Sequence, residues 1–334
     1  MKRFRSASLA LASASALAAI ASAARPHYGG TLRVETAGVI HSIDPSASAD
    51  ASDAWTKSRL LPLVFETLTT IDADTGLQPQ LASSWENVDT GTRWRLRIRR
   101  GVVLHDGSTL EGWQVAASLR AANPAWTVDA DGDTVIVTPD RPSADLPWEL
   151  ARPRQAIAVR KSAAELVGSG PFRIDRFDGR RAILKAHDRY WGARPFLDAI
   201  QIEMSRALTD QLASVERGAA DFVSARPTDV HRLEQRELRV VASRPLELVA
   251  LVFEPHRVTT ADGVVRRAVA DAVDRRSLSA VLLQQYAAPA TALVPVWLSG
   301  YSVPALPPSP GRTAIAALTP AQRTVTIRVD AADA

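Results

Sequence analysis

A histidine, an aspartate and a serine lie close together in the stretch LRIRRGVVLHDGSTLEGWQVAASL, residues 96–119. His105, Asp106 and Ser108 are the residue types of a hydrolytic triad, and a histidine next to an aspartate is also common in metal sites. A serine nucleophile needs a base and an acid that converge on it, and no nucleophile-elbow pattern occurs here. A zinc site needs two or three more ligands, and the six histidines of the chain show no HxxxH-like spacing.

Local structure accounts for all three residues. Asp106-Gly107 is a turn dipeptide, and His105 ends an apolar run that predicts a strand. Ser108 and Glu111 have capping-box spacing ahead of an apolar helical run, which predicts that Ser108 is the helix N-cap. We therefore interpret the stretch as a strand end, a turn and a helix start, with no catalytic residue and no metal ligand.

The first 24 residues have the pattern of a secretory signal peptide. MKRFR is basic, SASLALASASALAAIASA is apolar and rich in small residues, and Ala21–Ala23 fits a cleavage site. Cleavage removes three of the 40 basic residues and none of the 36 acidic ones, so the net charge falls from +4 to about +1. A nucleic-acid-binding function inferred from the high pI therefore loses its support. The alternative is an uncleaved anchor helix, for which the stretch is short.

Cysteine is absent from the chain. The protein therefore has no disulfide, no thiol nucleophile and no thiolate metal ligand. Together with the signal peptide, this predicts a soluble periplasmic protein that needs no cofactor.

Apolar periodicity predicts an alternation of strands and helices. Trp94, Leu96 and Ile98 alternate with arginines, which is typical of a strand with one buried and one solvated face. Asp131-Gly132 and Asp178-Gly179 predict two hairpin turns, and Gly218 predicts the end of a helix. A helix pair is predicted from residue 261 to 283, with Val264, Val265, Ala268, Val269 and Val273 on its apolar stripe.

The glycines of GSGPF, residues 168–172, do not complete a phosphate-binding pattern, because the Gly-Lys-Ser/Thr ending is missing. Small residues here instead predict a crossover at which two backbone segments approach closely.

Nine segments follow one another in the order YGGTLRV, SIDPS, LVFETLTTID, LQPQLASSWE, WRLRIRRGVVLHDGSTLEGWQVAASL, GSGPFRIDRF, DRYWGARPFLDAIQIEM, ERGAADFV and VRRAVADAVDRRSLSAVLLQQYAAPATALVP. Their content and order resemble the family 5 extracellular solute-binding proteins, the receptors of ABC importers for peptides and nickel. The resemblance covers residues 28–295, which is nearly all of the mature chain.

The resemblance implies an α/β fold of the periplasmic-binding-protein type, in which two lobes close on a ligand like a hinged clamp. An extra family-specific domain is implied as well. On this basis lobe I consists of residues 27–65 and 163–247, the inserted domain of residues 66–162, and a partial lobe II of residues 248–334. Family members are usually longer than this chain, so we expect its second lobe to be incomplete.

Binding without chemistry is the function that the resemblance implies. A monomeric receptor would capture a peptide-like or other carboxylate-bearing solute and deliver it to ABC permease subunits. Arg154 matches a segment of nickel-binding members in which an arginine meets the carboxylates of a chelator; the alternative for Arg154 is a surface ion pair. Val39, Ile40 and His41 are the expected contacts after the first strand. Trp126 is either a wall of the site or part of a domain core.

Three other functions remain open. A nickel-chelate receptor is the alternative within the same class of protein. A truncated remnant that binds no solute and acts as a scaffold is a further alternative, which the early C-terminus of the chain favours. A secreted hydrolase is the third, and the sequence contains no nucleophile–base pattern that supports it.

Overall fold

The computed structural model describes residues 28–47, 51–72, 74–162, 165–242, 248, 250–253, 263–290 and 319–320. The predicted signal peptide lies outside these residues. The chain divides into two compact units, residues 1–224 and residues 225–334. This division does not test the finer domain limits implied by the resemblance, which stay a prediction.

All described β-strands belong to the first unit. In chain order they are β1 (Thr31–Glu35), β2 (Thr69–Asp72), β3 (Gly76–Pro79), β4 (Ala82–Asp89), β5 (Arg93–Ile98), β6 (Thr127–Asp131), β7 (Thr134–Thr138), β8 (Val159–Arg160), β9 (Leu166–Val167), β10 (Phe172–Phe177), β11 (Arg181–Ala186) and β12 (Ala199–Glu203).

The described α-helices are distributed over both units. The first unit contains α1 (Ala51–Leu60), α2 (Gly112–Ala122), α3 (Leu146–Glu149) and α4 (Leu208–Glu216), and the second contains α5 (Val230–Glu234), α6 (Gly263–Ala272) and α7 (Arg275–Ser277). Short 3-10 helices span Leu61–Leu63, Pro153–Gln155 and Pro227–Asp229, and a π-helical turn, Leu278–Leu282, follows α7.

One four-stranded sheet has the order β1-β12-β11-β10. The pair β1–β12 is parallel, and the other pairs are antiparallel. On β11 every second residue is buried, at Ala182, Leu184 and Ala186, because successive side chains of a strand point to opposite faces. This buried face packs with Ile40 and Phe65 in one hydrophobic core.

A second four-stranded sheet has the order β4-β5-β7-β6 and is antiparallel throughout. Its core contains Trp94, Leu96 and Ile98 of β5, which confirms the predicted alternation. The arginines between them lie on the opposite face, where Arg95 pairs with Glu86 and Arg97 with Asp133.

Turns and helix ends depart from the sequence predictions in three places. Asp131 pairs with Thr134, so the hairpin loop is Gly132–Asp133, one residue later than predicted. The N-cap of α2 is Glu111, with a capping box to Gln114, so the prediction that Ser108 caps this helix is wrong. Val264 is exposed, and the buried stripe of α6 is narrower than predicted.

The glycines of the GSGPF segment lie against the end of the first helical segment, which confirms the predicted close approach of two backbone segments. A Cβ atom on Gly168 would lie 2.0 Å from the carbonyl oxygen of Val64, and one on Gly170 would lie 2.7 Å from that of Leu63. The amide of Gly170 donates a 2.9 Å hydrogen bond to the Val64 carbonyl. The backbones meet here because neither glycine carries a side chain.

Candidate functional site

The residues that first suggested catalysis form a turn. The amide and hydroxyl of Ser108 both donate hydrogen bonds to Oδ1 of Asp106, at 3.0 and 2.7 Å, and Nζ of Lys161 lies 2.9 Å from Oδ2. Partial burial alone would raise the pKa of Asp106, but these hydrogen bonds outweigh it and lower the pKa to about 2. The carboxylate therefore stays charged and engaged within its turn, where it cannot activate a serine.

A groove of about 220 Å³ lies between α2, the β8–β9 pair and the loop that follows β1. We call it the Trp113 groove. Its lining consists of Asp44, Pro45, Ser46, Trp113, Gln114, Ala117, Ser118, Ala121, Ala122, Ala156, Ala158, Val159, Arg160 and Leu166.

One helix face supplies the apolar wall of the Trp113 groove. Trp113, Ala117 and Ala121 are spaced four residues apart, so they lie above one another on α2. The opposite face of α2 is buried in the core through Val115 and Leu119. Because that opposite face packs in the core, Trp113 lies on the outer face of the helix with Ala117 and Ala121, and the residue is 64% exposed. A large aromatic side chain so exposed beside a concavity is a common feature of binding surfaces.

Charged groups also line the groove. Nη2 of Arg160 lies 2.6 Å from Oδ2 of Asp44, and the Arg160 side chain is 48% exposed. Partial burial favours the neutral form of Asp44, but hydrogen bonds from Ser46 and Arg160 lower its pKa. Lys57 is buried close by, where its Nζ donates a 2.7 Å hydrogen bond to the carbonyl of Ala47. The guanidinium of Arg160 can therefore pair with a carboxylate of a ligand in the groove.

The residues predicted from the resemblance lie outside the lining of the Trp113 groove. The Ile40 side chain is buried in the core, Val39 is half-buried, and His41 is exposed with Nε2 3.4 Å from Oδ2 of Asp53. Trp126 packs against the core of the second sheet, and Arg154 donates hydrogen bonds of 3.1 and 2.7 Å to Glu149. Their assignment to a ligand site stays a prediction.

Sequence reasoning missed Trp113 and Arg160. A signal for Trp113 was available, because its spacing to Ala117 and Ala121 places an aromatic ring and two small residues on one helix face. Arg160 had no such signal, since its partner Asp44 lies 116 residues earlier in the chain.

A buried carboxylate joins distant segments of the first unit. Glu66 is 1% exposed and accepts hydrogen bonds from Ser169 Oγ at 2.7 Å, Tyr190 OH at 2.9 Å, Trp191 Nε1 at 3.0 Å and Gln80 Nε2 at 3.3 Å. Burial raises the pKa of Glu66, and these hydrogen bonds offset only part of that effect. With all of its acceptor sites engaged, the carboxylate is a structural connector and has no capacity left for a ligand.

The described residues offer no candidate metal centre and no membrane span. They contain no group of three histidine, cysteine, aspartate or glutamate side chains that could hold a metal ion. No described helix is both long and apolar enough to cross a membrane. A shallow hollow in the second unit is lined by polar groups that already bond to each other, such as Tyr286 and Glu234 at 3.1 Å.

Comparison with known proteins identifies the family. Residues 76–321 match the model of the bacterial extracellular solute-binding proteins, family 5 Middle, over more than half of the chain. The chain belongs to this family. The resemblance drawn from the sequence segments is therefore confirmed.

Two relatives of this family 5 protein show how much of a longer protein it matches. YhjP of Bacillus subtilis (strain 168), an uncharacterized protein, is 30% identical over 156 residues, which are 42% of this chain and 27% of YhjP. The glutathione-binding protein GsiB of Salmonella choleraesuis is 26% identical over 272 residues, 74% of this chain and 53% of GsiB. The chain spans about half the length of GsiB and less of YhjP.

Solved structures confirm the predicted mixed α/β fold of the periplasmic-binding-protein type. The oligopeptide-binding protein AppA of Bacillus subtilis, in complex with a nonapeptide, has a TM-score of 0.66 at 21% identity, over 87% of this chain and 64% of AppA. NikA of Brucella suis, in complex with Fe(III)-EDTA, has a TM-score of 0.72 at 19% identity, over 86% of this chain and 63% of NikA. At such identities the likeness establishes the fold and leaves the ligand open.

Proposed function

We propose that this family 5 protein is the substrate-binding component of an ABC importer. It captures a peptide-like or other carboxylate-bearing solute in the periplasm, as a monomer, and delivers it to membrane permease subunits without chemical change. The observation that carries the proposal is the Trp113 groove, whose lining includes both an exposed tryptophan and a half-exposed arginine.

The groove offers two kinds of contact that a peptide-like solute needs. A carboxylate of the ligand meets Arg160, whose planar guanidinium pairs with carboxylates through two parallel hydrogen bonds. An apolar part of the ligand covers Trp113 and the alanines of α2, and removing this surface from water favours binding. Asp44 holds Arg160 in place before the ligand arrives.

The ligands named for two related proteins agree with a solute of this class. GsiB is named as glutathione-binding, and AppA is an oligopeptide-binding protein with a bound nonapeptide. Glutathione and other peptides carry a free carboxylate, which is the group that Arg160 would recognise.

Substitution of Arg160 tests this assignment. We expect Arg160→Gln to weaken binding about tenfold to a hundredfold, the value of one charge-assisted hydrogen bond to a carboxylate. Ligands are first found by thermal-shift screening with glutathione and tripeptide pools, and affinities are then measured by calorimetry. Arg95→Gln is the matched control, because Arg95 is also ion-paired and lies outside the groove, and Arg154→Gln tests the competing site. Equal affinity in Arg160→Gln and the parent protein, with a loss in Arg154→Gln, would move the site to Arg154.

The indole provides an independent test of the same groove. We expect Trp113→Ala to reduce affinity for the same ligand and to remove the change in tryptophan fluorescence that binding produces, since burial of an exposed indole changes its emission. Trp148→Ala is the control, because Trp148 is exposed but does not line the groove. A fluorescence response that persists without Trp113 would contradict the proposal.

The same screen includes nickel–histidine. Binding of this chelate alone would support the nickel-receptor alternative, and Arg160 would then meet the carboxylates of the chelator. If neither peptides nor the chelate stabilises the protein, the transport proposal fails and the scaffold alternative gains.

A further inference from the structure

Two imidazoles converge on one backbone carbonyl, away from the Trp113 groove. Nε2 of His105 lies 3.0 Å and Nδ1 of His187 lies 3.2 Å from the oxygen of Gly170. The ring centroids are 5.0 Å apart, and the rings are nearly perpendicular. The amide of His105 also donates a 3.0 Å hydrogen bond to the carbonyl of Gly168. The pair thus ties the turn at residues 104–109 to the glycine crossover.

The shared acceptor determines the protonation of both rings. A carbonyl oxygen only accepts hydrogen bonds, so His105 carries its hydrogen on Nε2 and His187 on Nδ1. The two lone pairs of the Gly170 oxygen serve both donors. Each ring is satisfied while neutral, and a second proton on either would add a positive charge beside the other ring.

The charged groups around the pair do not neutralise such a charge. Arg173 lies close enough to both rings to disfavour their protonation, and Arg189 does the same to His187. Asp106 and Asp188 act in the opposite direction but are already engaged, with Lys161 and Arg194 at 2.9 Å each. His187 is buried, and His105 is partly buried.

We propose that the His105–His187 pair is an acid-sensitive fastening, which holds the turn at residues 104–109 on the Gly168–Gly170 crossover at neutral pH and loosens as the pH falls. An exported protein meets the pH of its surroundings, so this response acts on the folded protein in its working compartment. The proposal is independent of the ligand.

Protonation equilibria support the direction of the effect. Burial lowers the pKa of His105 to about 4 and lowers that of His187 from its ordinary value near 6.5. In an opened or unfolded turn the two histidines bind protons near pH 6.5, whereas in the closed turn they bind protons only at lower pH. Acidification below pH 6.5 therefore favours opening, and the stabilisation is fully present above that pH.

Hydrogen exchange of peptides that cover residues 103–109, measured by mass spectrometry between pH 7.5 and pH 5, tests the proposal on the full chain. After correction for intrinsic exchange rates, we expect protection to fall by up to about tenfold per histidine for each pH unit below 6.5. In the double variant His105→Gln and His187→Asn, an amide donor replaces each imidazole donor and neither side chain titrates. The fall in protection should then disappear, whereas His231→Gln, an exposed histidine elsewhere, should retain it.

An unchanged fall in protection in the double variant would overturn the proposal. Glu66 also titrates near this junction, but its effect on stability has the opposite sign, because its raised pKa makes the fold lose stability as the pH rises. This contribution is the same in the double variant and in its parent, so comparing the two proteins removes it. If the double variant does not fold, imidazole titration of the parent protein by NMR decides. Two coupled transitions, both below the ordinary value near pH 6.5, support the fastening, and independent transitions at that ordinary value refute it.

Discussion

Replacement of Glu66 by alanine is expected to lower the free energy of unfolding by about 4 kcal/mol or more, since it leaves several buried donors without an acceptor. The indole N–H of Trp191 is the critical donor, because it bonds to both carboxylate oxygens, at 3.2 and 3.0 Å, and cannot become an acceptor. Urea unfolding at pH 7, followed by circular dichroism, measures the loss.

Conservative variants separate the causes of this loss. Glu66→Gln retains one acceptor oxygen, and the hydroxyl of Ser169 can turn to accept from the new amide, so we expect a smaller loss of about 2 kcal/mol. Tyr190→Phe removes a single donor and should cost about 1 kcal/mol. Glu86→Ala is the matched control: Glu86 pairs with Arg95 on the surface, where the loss should stay below about 1 kcal/mol. Similar losses at Glu66 and Glu86 would contradict the role of Glu66 as a connector.

Replacement of Gly168 by alanine is expected to prevent stable folding of the first unit. The added Cβ would lie 2.0 Å from the Val64 carbonyl oxygen and 2.9 Å from a ring carbon of Phe65, and two backbone segments would have to separate to relieve the overlap. Overpacking of buried sites that relax costs about 1–3 kcal/mol, so an overlap with rigid backbone should exceed that range. Soluble yield and the thermal unfolding midpoint measure the effect.

Substitutions at two other glycines test whether the close backbone contact, and not the loss of a glycine as such, causes the loss of stability. Gly170→Ala brings its Cβ to 2.7 Å from Leu63, so it should be less damaging than Gly168→Ala. Gly263 lies in α6 with only the end of the Arg266 side chain at 3.8 Å, and alanine there should be neutral or stabilise by about 0.5 kcal/mol. A Gly168→Ala protein as stable as the parent would show that the crossover is not as tight as the structure has it.

Close approach at the glycines was predictable from the sequence because it depends on residue size. The same holds for the strand of Trp94, Leu96 and Ile98, whose alternation is a direct consequence of strand geometry. The N-cap of α2 was mispredicted because a serine three residues before a glutamate fits a capping box, and the sequence does not show that the serine is already engaged in the preceding turn. Ser108 bonds to Asp106 instead, and the helix starts three residues later.

The composition of the candidate groove was much less predictable. Trp113 comes from α2 and Arg160 from β8, and their common surface depends on how the β8–β9 pair and the loop after β1 meet the helix. Ile40, expected at the ligand, has its side chain in the core, and Arg154 is held by Glu149. The burial of Ile40 follows from packing, whereas the bond of Arg154 to Glu149, five residues earlier, is the surface ion pair that the sequence left open as the alternative.

The sequence by itself determined the family, the fold class, the main strands and the turn at His105, Asp106 and Ser108. The export signal that it also indicates stays a prediction. These properties are encoded in residue types a few positions apart, which act through local backbone geometry and side-chain size. Only the tertiary structure decided that Glu66 accepts hydrogen bonds from donors as far along the chain as Trp191, that two histidines 82 positions apart share the Gly170 carbonyl, and that Trp113 and Arg160 line one groove. Such contacts arise when distant segments pack together, and packing is a property of the whole chain.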